Sequence, residues 1–129
     1  MKDSEIALLE GGNYMSLATR KRSGEYVATP VWFAPFKGSF YVFSAGAAGK
    51  VKRLRNFSES RVAACTVRGV ITGDWFDAES VVLDSATDKN IALAALRKKY
   101  GLQMKVGDVF GKLTGKMAKR AYIKVDIKR

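Results

Sequence analysis

Apolar and polar residues alternate with a period of two along much of this chain, between short glycine-bearing turns and a few stretches with helical spacing. Residues 14–19 and 26–36 are the first two strand-like runs, joined by a polar turn at Ser23 and Gly24. Lys37 and Gly38 then turn the chain into a third run at residues 39–44. This pattern predicts successive β-hairpins. The second run, YVATPVWFAPF, carries Pro30 and Pro35. Each proline removes a ladder donor, so this strand is expected to be bulged, at an edge, or open to something other than a neighbouring strand. Residues 61–68 read as a valine- and alanine-rich strand closed by Gly69. A further strand is expected at roughly residues 70–84, with a break at Gly73 and Asp74. The last alternation, residues 121–128, sets Ile123, Val125 and Ile127 on one face and Tyr122, Lys124, Asp126 and Lys128 on the other.

Four stretches read as helical. Residues 4–9 can be capped by Ser4 and present Ile6, Leu8 and Leu9, with Gly11 and Gly12 as the stop. After the third strand Val51 and Leu54 stand three apart and can face a core, while Lys50 and Arg53, and Lys52 and Arg55, share the polar sides. The clearest helix is expected to be capped by Thr87 or Asp88, with Leu93, Leu96 and Tyr100 at i, i+3 and i+7 and Gly101 at its end. Residues 108–117 are a weaker helix, because Gly111 and Gly115 each cost up to about 1 kcal/mol relative to alanine. No repeat or linker interrupts the chain, and its 129 residues are of single-domain length. The expected architecture is mainly β: one domain over residues 1–129, an antiparallel barrel or sheet with peripheral helices.

Composition narrows the chemistry. At 47% hydrophobic and 27% charged residues the chain is that of a folded globular protein. Its apolar runs are too short to span a bilayer, and acids occupy the start where a secretion signal needs basic residues, so a cytoplasmic location without membrane contact is expected. A single cysteine, Cys65, excludes an internal disulfide and reads as a small core residue. The absence of histidine removes the usual zinc, haem-ligand, Ser-His and Cys-His arrangements, so no metal site is expected and no catalytic residue can be named. A formal charge of +11 points to an anionic partner, whether nucleic acid, acidic lipid or a polyanionic small molecule.

The stretch FYVFSAGAAGKVKRLR, residues 40–55, gives that charge a location. An aromatic strand runs into glycines and then into the start of a basic helix, which is how backbone N–H groups and cations are gathered around a phosphate. Neither a P-loop nor a dinucleotide-binding glycine pattern is present, so these residues alone leave phosphate binding and a solvated basic loop both open. Trp32, Phe33, Phe36, Phe40, Tyr41 and Phe43 crowd two adjacent strands and read first as core, with a stacking platform for a planar ring as the sharper alternative. Asp77 and Glu79 share one strand face and are expected to meet solvent or basic helices. KGSFYVFS matches the RNA-recognition signature at only four positions, and the order of elements is wrong for that fold, so a nucleic-acid partner is disfavoured.

The order of these features resembles the split β-barrel flavin and deazaflavin oxidoreductases, the pyridoxamine 5′-phosphate oxidase-like superfamily, most closely its small F420-dependent members. The resemblance is carried by Thr29, Pro30, Val31 and Trp32, by GKVKRLR from Gly49 to Arg55, by Arg61 and Val62 before Cys65, by KYGLQ at residues 99–103 and by the alternating C-terminal strand. It departs at Phe57-Ser58-Glu59-Ser60, where relatives often have Asn-Pro. The resemblance implies a homodimer with the cofactor at the subunit interface. It implies that Thr29, Pro30, Val31 and Trp32 line the ring, that Ser44, Gly49 and Lys50 hold the phosphate, and that Lys52 and Arg55 meet the phosphate or a carboxylate tail. F420, with a phosphodiester and a glutamate tail, suits so basic a stretch better than FMN, which is the alternative. The implied activity is hydride transfer between that cofactor and a small organic substrate. The rival readings are a flavin- or anion-binding protein without turnover and, less favoured, a basic nucleic-acid-binding β-barrel.

Overall fold

The computed structural model describes residues 6, 7, 9–12, 14–45, 48–100 and 120–128. Its strands are β1 (Tyr14–Arg20), β2 (Tyr26–Phe36), β3 (Ser39–Ala45), β4 (Glu59–Ala64), β5 (Phe76–Val82) and β6 (Arg120–Ile127). Helix α1 (Gly49–Asn56) lies between β3 and β4, and α2 (Ala86–Tyr100) between β5 and β6. All neighbouring strands are antiparallel, and they close into a barrel in the order β1-β2-β3-β6-β5-β4. The expected antiparallel barrel with peripheral helices is thus the observed fold.

Period-two alternation fills the barrel. Met15, Leu17, Val31, Phe33, Phe40, Val42, Val62, Ala78, Ile123 and Val125 form one buried cluster, to which Ile6, Leu9 and Leu54 are added from outside the strands. Side chains of this size contribute roughly 1.5–3 kcal/mol each when fully buried. A second cluster lies on the outer face, where Ala92, Ala95 and Leu96 of α2 cover Ala34, Tyr41 and Tyr122, joined by Leu83. Phe33 and Phe40 are therefore core, edge to face at 5.6 Å, whereas Trp32 and Phe43 are half-buried beside the second cluster.

The tight β2–β3 hairpin depends on backbone that most residues avoid. Lys37 (φ 50°) and Gly38 (φ 84°) are both left-handed, as a two-residue turn matched to strand twist requires. Elsewhere the structure corrects the sequence reading. The strand expected at residues 61–68 ends at Ala64, and the next begins only at Phe76. Between them the chain doubles back: Thr66 N–H donates to Val70 O at 2.9 Å, Gly69 takes φ 88°, and Thr72 N–H donates to Ala64 O. Val67, Val70 and Ile71 have the branching of strand residues, but the reversal at Gly69 leaves them exposed and outside the six strands. Cys65 is half-buried in an isolated bridge with Ile71, outside the core clusters, and burial pushes its thiol pKa up.

Helix α2 begins one turn earlier than expected. Ser85, not Thr87 or Asp88, is its cap, with Asp88 N–H donating to Ser85 Oγ at 3.1 Å. A serine hydroxyl caps as well as either, and this start leaves Asp88 in the first turn, where the helix dipole favours a carboxylate. The helix expected at residues 108–117, the caps Ser4 and Gly101, and Leu8 lie outside the described residues.

Candidate functional site

Pro30 of β2 locates an opening in the barrel wall, whereas Pro35 lies within the ladder to β3 opposite Phe40. Lys21 N–H donates to Glu25 O at 2.8 Å, and antiparallel pairs alternate between bonded and non-bonded from that point. Counting along the register places Pro30 opposite Ser16 in a non-bonded pair, so its missing donor faces away from β1. On that side the ladder to β3 runs only through Phe33↔Val42 to Phe36↔Ser39. Beyond it Phe43, Ser44 and Ala45 pair with β6 alone, and Trp32 and Val31 stand across from them without a β3 partner. Pro30 thus lies where the sheet opens, one of the three expected outcomes.

A cavity of about 450 Å³ occupies the opening, lined by Tyr14, Pro30, Val31, Trp32, Phe43, Ser44, Ala48 and Lys50. One wall is aromatic: Trp32 meets Tyr14 edge to face at 6.4 Å and Phe43 at 5.9 Å. The opposite end is the start of α1, whose N-cap Ala48 offers no side-chain cap and whose first turn contains no acid. Lys50 reaches back from that turn, donating from Nζ to Ser44 Oγ at 3.4 Å. Burial first, and the Arg53 guanidinium second, lower the Lys50 pKa, so its charge is held where an anion would relieve both penalties. The cavity accordingly joins a surface for a planar ring to a cationic, hydrogen-bonding end.

Of the residues expected from the sequence, Pro30, Val31, Trp32, Ser44 and Lys50 meet in this cavity. Thr29 adjoins it in β2, and its Oγ1 is the one buried side-chain oxygen or nitrogen without a hydrogen-bond partner among the described residues. Gly49 begins α1 beside Ala48, but its small size serves Arg53. A Cβ there would come within 2.8 Å of Arg53 Nη1, the flexible end of a side chain anchored by donation from Nε to Thr19 Oγ1 at 2.6 Å. Lys52 is exposed on α1 and Arg55 turns away, 3.1 Å from Asp84 Oδ1; neither lines the cavity. The Arg55 guanidinium, by hydrogen bond and by charge, holds the Asp84 carboxyl below its ordinary pKa.

Two contributors escaped the sequence reading. Tyr14 is brought in by its pairing with Trp32, a register that local pattern does not reveal. Arg53 looked like a solvent-facing partner of Lys50, whereas the backbone of Ala48, expected from the sequence to face an anion, does line the cavity. The acids Asp77 and Glu79 are exposed to solvent as expected, and their nearest cations lie on strands, Arg61 at 3.5 Å from Asp77, or just past one, Lys128 at 3.8 Å from Glu79. Among the described residues no group of three or more Cys, Asp or Glu is placed to hold a metal ion, and no helix is long and apolar enough to cross a membrane.

No protein-family model matches the sequence, and no curated protein does either. Solved structures do share the fold. A candidate pyridoxamine 5′-phosphate oxidase from Listeria innocua superposes with a TM-score of 0.68 at 13% identity, over 99% of this chain and 94% of that one. A FAD-binding protein from Mesorhizobium loti gives 0.70 at 16% identity, over 100% and 91%. The heme storage protein HutZ from Vibrio cholerae gives 0.69 at 12% identity, over 98% and 90%. At these identities the likeness is one of fold: the chain has the pyridoxamine 5′-phosphate oxidase-like split barrel.

Proposed function

We propose that this protein is an oxidoreductase that holds a phosphate-bearing flavin-type cofactor, F420 or alternatively FMN, in the opening between β2 and β3. The observation that carries the proposal is the pairing, within one cavity, of the Tyr14-Trp32-Phe43 wall with Ser44, Lys50 and the uncapped start of α1. The fit is chemical. Lys50 and Ser44 donate to a phosphate, the first-turn N–H groups of α1 add their dipole, and the aromatic wall with Pro30 and Val31 flanks a planar ring. The fold's representation among flavin- and heme-binding proteins supports a small-molecule ligand.

When bound, a deazaflavin or flavin supplies the hydride chemistry. The chain's own part is to bind and orient. Lys50 and Ser44 fix the phosphate end, and Trp32 and Phe43 shield one side of the ring from water. In the same proposal Lys52 stands on the exposed side of α1 where an anionic tail would pass, which favours F420. The functional unit is a cytoplasmic homodimer of single-domain subunits whose second copy covers the open side of the cavity.

Side-by-side titration of the purified protein with F420 and FMN, followed by absorbance and then by reduction with a hydride source and an acceptor, tests this reading. Saturable binding with turnover is the expected result. Binding without turnover converts the protein to a carrier, and binding of neither cofactor overturns the site.

A further inference from the structure

A second cavity lies on the outer face of the barrel, apart from the one at the β2–β3 opening, and is built from a single transverse row. Ala28 pairs with Ala18, Ala18 with Arg61, and Arg61 with Asp77, so four residues on β2, β1, β4 and β5 stand side by side across the sheet. With neighbouring strands about 4.8 Å apart, the row spans roughly 14 Å. Ala28 leaves an exposed methyl floor, whereas Ala18 is buried where Arg61 leans across it to stack its guanidinium on Tyr26, 4.4 Å from the ring centroid. Trp75, delivered by the chain reversal that follows β4, supplies the remaining wall, and the enclosed volume is about 370 Å³. The indole is 43% exposed, an unusual position for a large apolar ring with no covering layer.

The polar side of the cavity is the Arg61–Asp77 pair, Nε to Oδ1 at 3.5 Å. That contact engages one of five guanidinium N–H groups and one carboxylate oxygen, so donors and acceptors remain next to each other at the cavity's edge. A cation would be matched by Asp77 and opposed by Arg61, and an anion the reverse. The group that uses both is a neutral cis-amide edge, in which an N–H lies beside a C=O. The floor, the phenol and the indole in turn select a flat ring, and the volume admits a fused bicycle.

We propose that this row, walled by Tyr26 and Trp75, is a second binding site, for a neutral planar lactam of the hydroxypurine type. In it the ring lies against Trp75, its N–H donates to Asp77 and its carbonyl accepts from Arg61. The site is independent of the cofactor proposal and shares none of its residues.

Calorimetric titration with hypoxanthine tests it, and a dissociation constant on the order of 0.1–1 mM is expected for so small a ligand. 1-Methylhypoxanthine, which lacks the lactam N–H, should bind at least about tenfold more weakly to the unaltered protein, because Asp77 loses its donor. Trp75→Ala should weaken hypoxanthine by a similar factor, with circular dichroism confirming the fold, while Lys50→Ala should leave it unchanged. Absence of saturable binding overturns the proposal, as does equal affinity for the methylated ring. Loss of binding in Lys50→Ala also overturns it, since that places the probe at the β2–β3 opening.

Discussion

Replacing Lys50 by alanine separates a ligand-binding role from a structural one. Lys50 is half-buried, its ammonium touches Ser44 Oγ at 3.4 Å, and burial and Arg53 both disfavour its charge. In the free protein, then, the charge is a burden that the fold tolerates. Removing it costs Ser44 Oγ one long contact and relieves the repulsion with Arg53, so the melting temperature should hold steady or rise slightly. With a phosphate present the balance reverses: the variant loses one charge-assisted hydrogen bond, worth about 1–3 kcal/mol. That corresponds to about a 5- to 150-fold rise in the cofactor's dissociation constant. The pH dependence has a definite sign. The pKa of Lys50 is lowered in the free protein and an anion raises it, so binding takes up a proton at alkaline pH and weakens as pH rises; in Lys50→Ala this component should vanish. Isothermal titration with F420 and FMN at several pH values, alongside thermal melts, reads all three effects. An unchanged dissociation constant for both cofactors, or a weakening matched by a fall in melting temperature, would refute the reasoning.

Four other substitutions probe the placement of individual groups. Ser85→Ala should cost about 1 kcal/mol in urea unfolding through loss of the α2 cap, and Thr87→Ala distinctly less; the opposite ranking would return the cap to Thr87. Arg55→Ala should alter FMN affinity by less than about twofold, since its guanidinium faces exposed Asp84, and a tenfold loss would place it against the ligand. Lys99 lies over the Phe33 ring at 3.5 Å and donates to Gly12 O at 2.6 Å, and burial takes its pKa down from 10.5 to about 8. Between those two values the unfolded chain binds more protons than the folded one, so Lys99 makes stability rise with pH over that window and contributes no slope below about 8. Urea titrations from pH 7 to pH 10 should show a flatter rise in Lys99→Met, and an unaltered slope would assign the rise to other groups.

How much of this was legible in the sequence varies by element. Period-two alternation marks β1, β2, β3 and β6 almost to the residue, since side chains that alternate between a core and solvent leave a record that needs no partner to be read. The same holds for the hairpin turn at Lys37 and Gly38, where two adjacent residues must carry positive φ. Between β4 and β5 the local record misleads. Val67, Val70 and Ile71 read as strand, and only the reversal at Gly69, where an added Cβ would lie 3.6 Å from Pro30, makes them a loop. The α2 cap fails for a related reason, because Ser85, Thr87 and Asp88 are all competent oxygens and the choice rests on where the helix docks.

For the candidate site the division is clearer still. The order of features along the chain, through its resemblance to a known family, marked Pro30, Val31, Trp32, Ser44 and Lys50 together with Thr29, Gly49, Lys52 and Arg55, and the cavity is lined by the first five only. Pairing β3 with β6, and so leaving Phe43 and Ser44 free of β2, joins residues about eighty positions apart. Loop closure over that distance is decided by which sheet edges meet, and no local period encodes it. The register of the β1–β2 hairpin places Tyr14 beside Trp32, and the pairing of β1 with β4 and of β4 with β5 extends Ala28 and Ala18 to Arg61 and Asp77 in one row. The tertiary fold also leaves Arg55 facing Asp84, although the spacing of the basic helix treats Arg55 and Lys52 alike. Alternation along each strand was thus a property of the chain, while adjacency between strands, and with it both cavities, arose only when the barrel closed.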